Sequence, residues 1–401
     1  MKTKWRILLI HNYYKSTAPS GEDVVYKSER ELLERSGHTV IVYERFNDLI
    51  KDEGFLQRVA LGLETVWAKE AYKDLKKLIA LHRPDVAHFH NTFPQISPSA
   101  YSACFEEGVP VLQTLHNYRL ICPGGLLLRD SSPCEKCVGR SLLPALRHRC
   151  YRQSLPATAA LVSMITLHRL RGTYNRDVSR YLSLTEFAAS KMIEGGLPSS
   201  KVIVKPNFLL DTPPIGTGKG GHALFVGRLS AEKGVTTLLN AWRQLPDFQL
   251  KIAGQGELLE DIQQIVTAEN LPVELLGQLS KEEVTAAMRD AAFLIVPSEC
   301  YEGFPMVVVE SFASGTPVLA ADIGSLSEVV FEDIGCKKFA PGNVAQLVSG
   351  VREMFQAHEE AGPRRTLVRD HYLKNFTPEI GLRNLLDAYA QASSSAAQDV
   401  S

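Results

Sequence analysis

Short apolar runs alternate with longer amphipathic stretches along the whole chain. Ile7–Ile10, Thr39–Tyr43, Val86–Phe89 and Val109–Leu115 have the length and composition of buried parallel strands. Between them lie helical patterns, Val24–Ser36, stopped by Gly37, and Asn47–Leu81, in two pieces. Tyr181–Leu184 and Lys201–Val204 resume as short strands. Pro206–Gly221 is rich in proline and glycine and has no apolar periodicity, so it reads as a linker; its Gly216-x-Gly218-x-Gly220 is flexible linker composition. The alternation then starts afresh with Ala223–Val226, Gln249–Ala253, Val273–Leu276, Phe293–Val296 and Val318–Ala320. Strands alternating with helices imply parallel sheets covered on both faces. The pattern predicts an α/β chain of two domains, 1–205 and 206–370, with Cys122–Arg180 as an insertion in the first. A last segment, 371–401, holds the helical pattern Pro378–Ala392 and a small, polar, frayed tail, Ser393–Ser401.

The stretch Pro297–Ala320 carries the densest chemistry. It reads as strand end, loop, helix, turn and next strand. Gly303 suits a tight turn and Pro305 the first helical position, where a missing N–H costs nothing. Gly315 and Pro317 end the helix. Glu302 sits in the loop, and Glu310 about a turn and a half inside the helix. Backbone N–H groups at such a helix start favour an anion, and a carboxylate nearby suits paired hydroxyls. The bland alternative is a helix-terminal acid with a solvated Glu310.

A second loop, Val226–Gly234, follows the first strand of domain two and sets Arg228 and Lys233 five residues apart. Two cations there can neutralise a diphosphate as its charge grows. Arg offers a planar fork and Lys a point charge. The alternative is a surface loop with Glu232 paired to a neighbour. Ala253-Gly254-Gln255-Gly256-Glu257 lacks the third glycine of a dinucleotide fingerprint, so nicotinamide binding is poorly supported. In domain one, Ser20-Gly21-Glu22-Asp23 precedes a helix and either approaches a phosphate or caps that helix. His116 ends the fourth strand, at the edge where open α/β sheets bind ligands.

Composition bounds the rest. The chain has 401 residues, 45% apolar and 22% charged, with a net charge of −1, and is therefore globular with no whole-chain case for nucleic acid. The apolar run near the N-terminus is too short for a signal peptide, and no run approaches the ~20 residues of a membrane span. Seven cysteines without an export signal point to a reducing cytoplasm. Cys134-x-x-Cys137, flanked by Cys122 and Cys150, can supply four thiolates to a structural zinc; unligated thiols or redox chemistry are the alternatives. Arg140–Arg180 holds eight arginines and one acid, Asp177, around the apolar Ala157–Leu167. That segment suits either a peripheral contact on the inner face of a membrane or a plain core helix with basic ends.

Glu302 and Glu310, with Gly303-Phe304-Pro305-Met306 between them, resemble the signature of glycosyltransferase family 4, retaining enzymes of the GT-B fold that use sugar nucleotides. The resemblance implies two Rossmann-like domains facing across a cleft, with the last helix crossing back to the first. It implies that Glu310 holds the ribose hydroxyls. Arg228, Lys233 and the backbone of Gly303, Phe304, Pro305, Met306 and Val307 would hold the diphosphate, and Glu302 and His116 would flank the donor sugar. It also implies that Gly254 and Gly256 lie near the nucleotide, with Leu276 near the base, and that Ser20-Gly21 stands where the family often has two glycines. His90, Asn91 and Asn117 become acceptor contacts. The expected partners are a nucleotide-diphosphate sugar and a glycan or lipid-linked acceptor in surface polysaccharide or glycolipid synthesis. No Asp-x-Asp motif adjoins a predicted site strand, so no cofactor is expected for catalysis. A sugar phosphorylase and a non-catalytic nucleotide-sugar-binding subunit are the other readings of this fold.

Overall fold

The computed structural model describes residues 2, 4–16, 20–50 and 54–398. The chain divides into two compact units. One comprises Met1–Leu127, Glu135–Leu210 and Gly381–Ser401, and the other Leu128–Cys134 and Asp211–Ile380.

The first unit is built on six strands, β1 (Arg6–Tyr13), β2 (Thr39–Phe46), β3 (Val86–Phe89), β4 (Val111–Leu115), β7 (Arg180–Ser183) and β8 (Val202–Val204); β5 (Leu128–Arg129) and β6 (Ser132–Pro133) form a small hairpin belonging to the second unit. The order is β2-β1-β3-β4-β7-β8, and every pairing is parallel. β1 runs beyond the expected end at Ile10 because its polar continuation is paired. His11 Nε2 lies 2.7 Å from Asp23 Oδ1, and Asn12 Nδ2 donates to Asn47 Oδ1 at 2.7 Å. Residues Asn47–Leu81 fold into the helices Phe55–Val66 and Lys69–His82; positions 51–53 lie outside the described residues. The helix Pro378–Gln398 extends through most of the expected frayed tail, and 399–401 lie outside the described residues. Its Leu385, Ala388, Tyr389 and Ala392 complete a core with Trp5, Ile7, Leu33, Val86, Leu112 and Leu182.

The Cys122–Arg180 segment adds the helix Leu155–Leu170, whose Leu161, Met164 and Ile165 pack with Cys137, Leu142 and Ala145. Cys150 packs against the same apolar cluster. Cys122 and Cys137 are buried, and Cys134 and Cys150 are partly buried. No helix among the described residues is long and apolar enough to cross a membrane.

The second unit has strands β9 (Ala223–Val226), β10 (Leu250–Ala253), β11 (Val273–Gly277), β12 (Phe293–Val296), β13 (Val318–Ala321) and β14 (Lys337–Phe339). They order as β11-β10-β9-β12-β13-β14, again all parallel. Counted within the unit this is 3-2-1-4-5-6, the doubly wound order whose direction reverses between β9 and β12. Trp242, Leu250, Phe293 and Leu319 sit in its core with no exposure.

One expectation is corrected. Gly216, Gly218 and Gly220 are not slack. Their N–H groups donate to Ser314 O, Arg289 O and Asp290 O at 2.9, 3.0 and 3.0 Å. A Cβ on Gly216 would stand 2.2 Å from Arg289 O, and one on Gly220 2.2 Å from Asp290 Oδ2. The glycines are there for close approach. Arg365, 2% exposed, clamps the same segment, donating to Gly216 O, Ala291 O, Arg289 O, Ser314 O and Thr316 Oγ1.

Candidate active site

Open α/β sheets bind ligands beyond the carboxyl ends of their strands, where the strand order reverses. In the second unit that point lies between β9 and β12, and the two loops leaving these strands carry Arg228, Lys233 and Glu302. The loop after β9 turns through Ala231–Lys233 into Gly234, at φ +72°. A Cβ on Gly234 would stand 1.9 Å from Pro297 O, so only glycine lets this loop press against the end of β12. The contact delivers Lys233 Nζ to Glu302 Oε1 at 2.6 Å, and Ser298 Oγ donates to the same oxygen at 2.7 Å. Burial pushes the Glu302 carboxyl up, but Lys233, Ser298 and the charge of Arg228 more than offset this and hold it below the usual range. Burial pulls Lys233 down, and Glu302 raises it above its ordinary value. Both groups are therefore charged at neutral pH, with Arg228 exposed beside them.

The Gly254 and Gly256 loop backs this arrangement. A Cβ on Gly254 would lie 1.9 Å from Gly227 O, and one on Gly256 2.2 Å from Leu229 O. The glycines thus seat the β10 loop against the backbone that carries Arg228. Gly254 N donates to Gly277 O at 2.8 Å, which ties in the end of β11 with the half-buried Leu276.

The third loop enters the helix Met306–Ala313. Pro305 is its cap and not its first residue, so Glu310 lies just over one turn in. Met306 and Val307 open the helix half-buried, behind Gly303 and Phe304. Burial pushes the Glu310 carboxyl up to about 7, with Lys281 opposing weakly. Among the described residues it accepts no side-chain hydrogen bond, so its oxygens remain available to a ligand. The cluster therefore offers a cationic mouth, a short helix start and a carboxyl with unfilled acceptor capacity.

In the first unit the strand order reverses between β1 and β3. Ser20 caps the helix Gly21–Arg35 in a capping box with Asp23. The capping alternative therefore holds for Asp23. Glu22 instead accepts from Asn117 Nδ2 at 2.7 Å, which pins the loop after β4 to this helix. A Cβ on Gly21 would meet nothing within 4 Å among the described residues. Asn91 spends its amide on Asn12 O at 2.7 Å and on Phe93 N at 3.0 Å. The two asparagines expected to contact an acceptor thus hold loops in place. His90 and His116 stack, with 2.9 Å between His90 Nδ1 and His116 Nε2.

Three groups at these sites escaped the sequence reading. Ser298 gives no signal of its own beside Pro297. Glu29 and Lys205 form a buried pair 176 residues apart in the chain. Nothing in the local pattern of either marks it as buried.

The assembly defines a class: two doubly wound units, the second with Arg228 and the Lys233–Glu302 pair at its switch point. Comparison with known proteins narrows it. Residues 217–363 match the family described as glycosyl transferases group 1. An uncharacterized glycosyltransferase of Methanocaldococcus jannaschii is 37% identical over 143 residues, 35% of this chain and 40% of that protein. A phosphatidyl-myo-inositol mannosyltransferase of Mycobacterium tuberculosis is 25% identical over 318 residues, 73% of each chain. The crystal structure of Anabaena HepE in complex with UDP superposes with a TM-score of 0.67 at 16% identity, covering 96% of this chain and 100% of that one. The matches span 40%, 27% and 38% of the length of the first curated relatives.

By its match the second unit belongs to the glycosyl transferases group 1 family, and the chain has the GT-B fold of two Rossmann-like α/β units.

Proposed function

We propose that this protein is a retaining glycosyltransferase. It moves a sugar from a nucleotide-diphosphate sugar to a hydroxyl of a glycan or lipid-linked acceptor in the synthesis of a surface polysaccharide or glycolipid. The observation that carries the reading is the placement of Arg228 and the Lys233–Glu302 pair at the switch point between β9 and β12. Arg228 and Lys233 bind the diphosphate and stabilise the charge that grows on it as the sugar leaves. Gly303, Phe304 and Val307 supply backbone N–H donors to the same phosphates, since Pro305 has no N–H and that of Met306 donates to Phe304 O. Glu310 accepts the paired ribose hydroxyls. Glu302 serves the donor sugar, and Ser298 and Lys233 fix its orientation and charge. Gly254, Gly256 and Leu276 border the nucleotide. Binding of UDP by the Anabaena HepE crystal and the mannosyl transfer in the name of the mycobacterial relative support the donor class.

A donor-hydrolysis screen across UDP- and GDP-sugars tests this. The expected result is cleavage of at least one nucleotide sugar, abolished in Lys233→Ala. No cleavage and no binding of any member would sink the proposal.

The lipid-linked form of the acceptor has its own support. Helices Phe55–Val66, Leu143–His148 and Leu155–Leu170 leave Val59, Leu63, Leu143, Leu155 and Leu170 exposed, beside exposed Arg147, Arg149 and Arg152. Apolar side chains framed by arginines suit the inner face of an anionic membrane, consistent with a cytoplasmic protein held peripherally. Flotation with anionic but not zwitterionic vesicles is the expected outcome; flotation with neither would remove the membrane contact.

A further inference from the structure

The first unit holds a run of buried polar groups that the donor chemistry of the second leaves unused. Glu29 is fully buried. Its Oε1 accepts from the Lys205 ammonium, itself 1% exposed, and its Oε2 lies 3.3 Å from His90 Nε2 and 3.8 Å from His88 Nδ1. His88 is engaged on both sides, with Nδ1 3.0 Å from Tyr389 OH and Nε2 2.8 Å from Thr114 Oγ1. His90 Nδ1 then meets His116 Nε2 at 2.9 Å. The ligand atoms of Glu29, His88 and His90 lie within 4.8 Å of one another, as a metal site requires. Lys205 already supplies the compensating cation, and the Tyr389 hydroxyl already serves one ring nitrogen. The group is therefore a proton-ordering network and not a metal site.

Hydrogen-bonding capacity fixes where each proton sits. An ionised carboxylate only accepts, and a neutral imidazole has one N–H and one bare nitrogen. Lys205 keeps Glu29 ionised, well below the usual carboxylate range despite its burial. Burial holds His88, His90 and His116 below the ordinary imidazole value, and His11, paired to Asp23 with its ring centred 6.2 Å from His90, is lowered as well. All are neutral at neutral pH. Glu29 Oε2 and His90 Nε2 approach to 3.3 Å without an aligned hydrogen bond; a bare nitrogen turned to the carboxylate would be repelled, so His90 carries its hydrogen on Nε2 and its Nδ1 is bare. The contact at 2.9 Å then requires His116 to donate from Nε2. The remaining nitrogen of His116, on a ring that is partly exposed at the carboxyl edge of β4, is bare.

We propose that Glu29, locked by Lys205, is a positioning residue that acts through His90 to hold His116 with its hydrogen on Nε2, presenting Nδ1 as a fixed acceptor for a sugar hydroxyl. Such an edge accepts an O–H and rejects groups that offer only lone pairs, such as phosphate or carbonyl oxygens. The assignment of the hydroxyl to a sugar rests on the glycosyl-transfer reading; the tautomer does not.

Nitrogen-15 correlation spectra of the full chain labelled at histidine read each ring directly. In the wild type, His116 and His90 are expected protonated at Nε2 and bare at Nδ1; a proton on His116 Nδ1 overturns the proposal. Glu29→Gln provides the second test. Lys205 needs an acceptor, so the Gln carbonyl faces Lys205 and its NH2 faces His90 Nε2, which becomes an acceptor. His90 then donates from Nδ1, and the proton of His116 moves to Nδ1. Inversion of both rings in Glu29→Gln, with the wild-type pattern retained in Glu29→Asp, supports the proposal; unchanged rings in a folded Glu29→Gln overturn it. If that variant does not fold, the wild-type spectrum alone decides. The spectra need no turnover. A wild type that neither binds nor cleaves any sugar nucleotide sinks the transfer reading alone, and the spectrum still upholds or overturns the tautomer.

Discussion

Glu310 makes donor binding depend on pH in a direction and size that the structure fixes. Its carboxyl is held at about 7 by burial, against an ordinary 4.5. Ribose hydroxyls donate to an ionised carboxylate at both oxygens, whereas the protonated acid must give up one acceptor position to its own hydrogen. Binding therefore favours the ionised form. Below about 7 each pH unit costs roughly tenfold in affinity, or about 1.4 kcal/mol, and above it the dependence flattens. From pH 8 to pH 6 a nucleotide sugar, whose diphosphate diester does not titrate in this range, should lose about tenfold in affinity by calorimetry. Glu310→Gln cannot ionise and should bind weakly with no such slope. The unliganded protein should show the opposite sign in stability. The unfolded chain releases this proton near 4.5 and the folded chain only near 7, so the folded state binds more protons between those values. Stability then falls as pH rises from 4.5 to 7, by up to about 3 kcal/mol, and Glu310→Gln should recover that amount at pH 8. Equal pH slopes for affinity in the wild type and Glu310→Gln would refute the reasoning.

Three further outcomes are expected. Arg228→Ala removes an exposed cation, so thermal unfolding should not move while donor turnover falls by roughly 10²–10³, as for loss of one group that stabilises developing charge; unchanged turnover would reject its role. Gly234→Ala sets a Cβ 1.9 Å from Pro297 O at a left-handed backbone position, and should cost more than ~2 kcal/mol in denaturant midpoint while separating Lys233 from Glu302. Arg365→Met strips donors from three buried carbonyls and one part-buried one and should destabilise the second unit by at least ~3 kcal/mol, read by calorimetry of the whole chain.

Much of this was legible in the sequence where burial and residue type coincide. Val86–Phe89 is apolar but for His88 and buried throughout, and the expected strand matches β3 residue for residue. Arg228, Lys233 and Glu302 are polar residues just past apolar strands, and the fold brings them to one point because parallel strands deliver their loops to one edge. The reading failed where a polar residue is buried by a partner remote in sequence. His11 and Asn12 looked like the end of a strand and lie within β1. Glu29 looked like any acid in an acidic helix, since only Lys205 and the β3 histidines reveal its burial. Gly216–Gly220 looked slack because glycine marks both freedom and close approach, and the residues that press on it lie around Arg289, Ser314 and Arg365.

The helix Pro378–Gln398 carries a consequence for biosynthesis. Leu385, Ala388 and Tyr389 seal the apolar interior around Trp5 and Val86, and they are translated after every strand of the second sheet. On the ribosome the later-encoded unit can finish first, while the earlier one waits for its final wall. A nascent chain stalled before Pro378 would expose Trp5, Leu33 and Val86 to chaperones, although all six strands of that sheet had already been made.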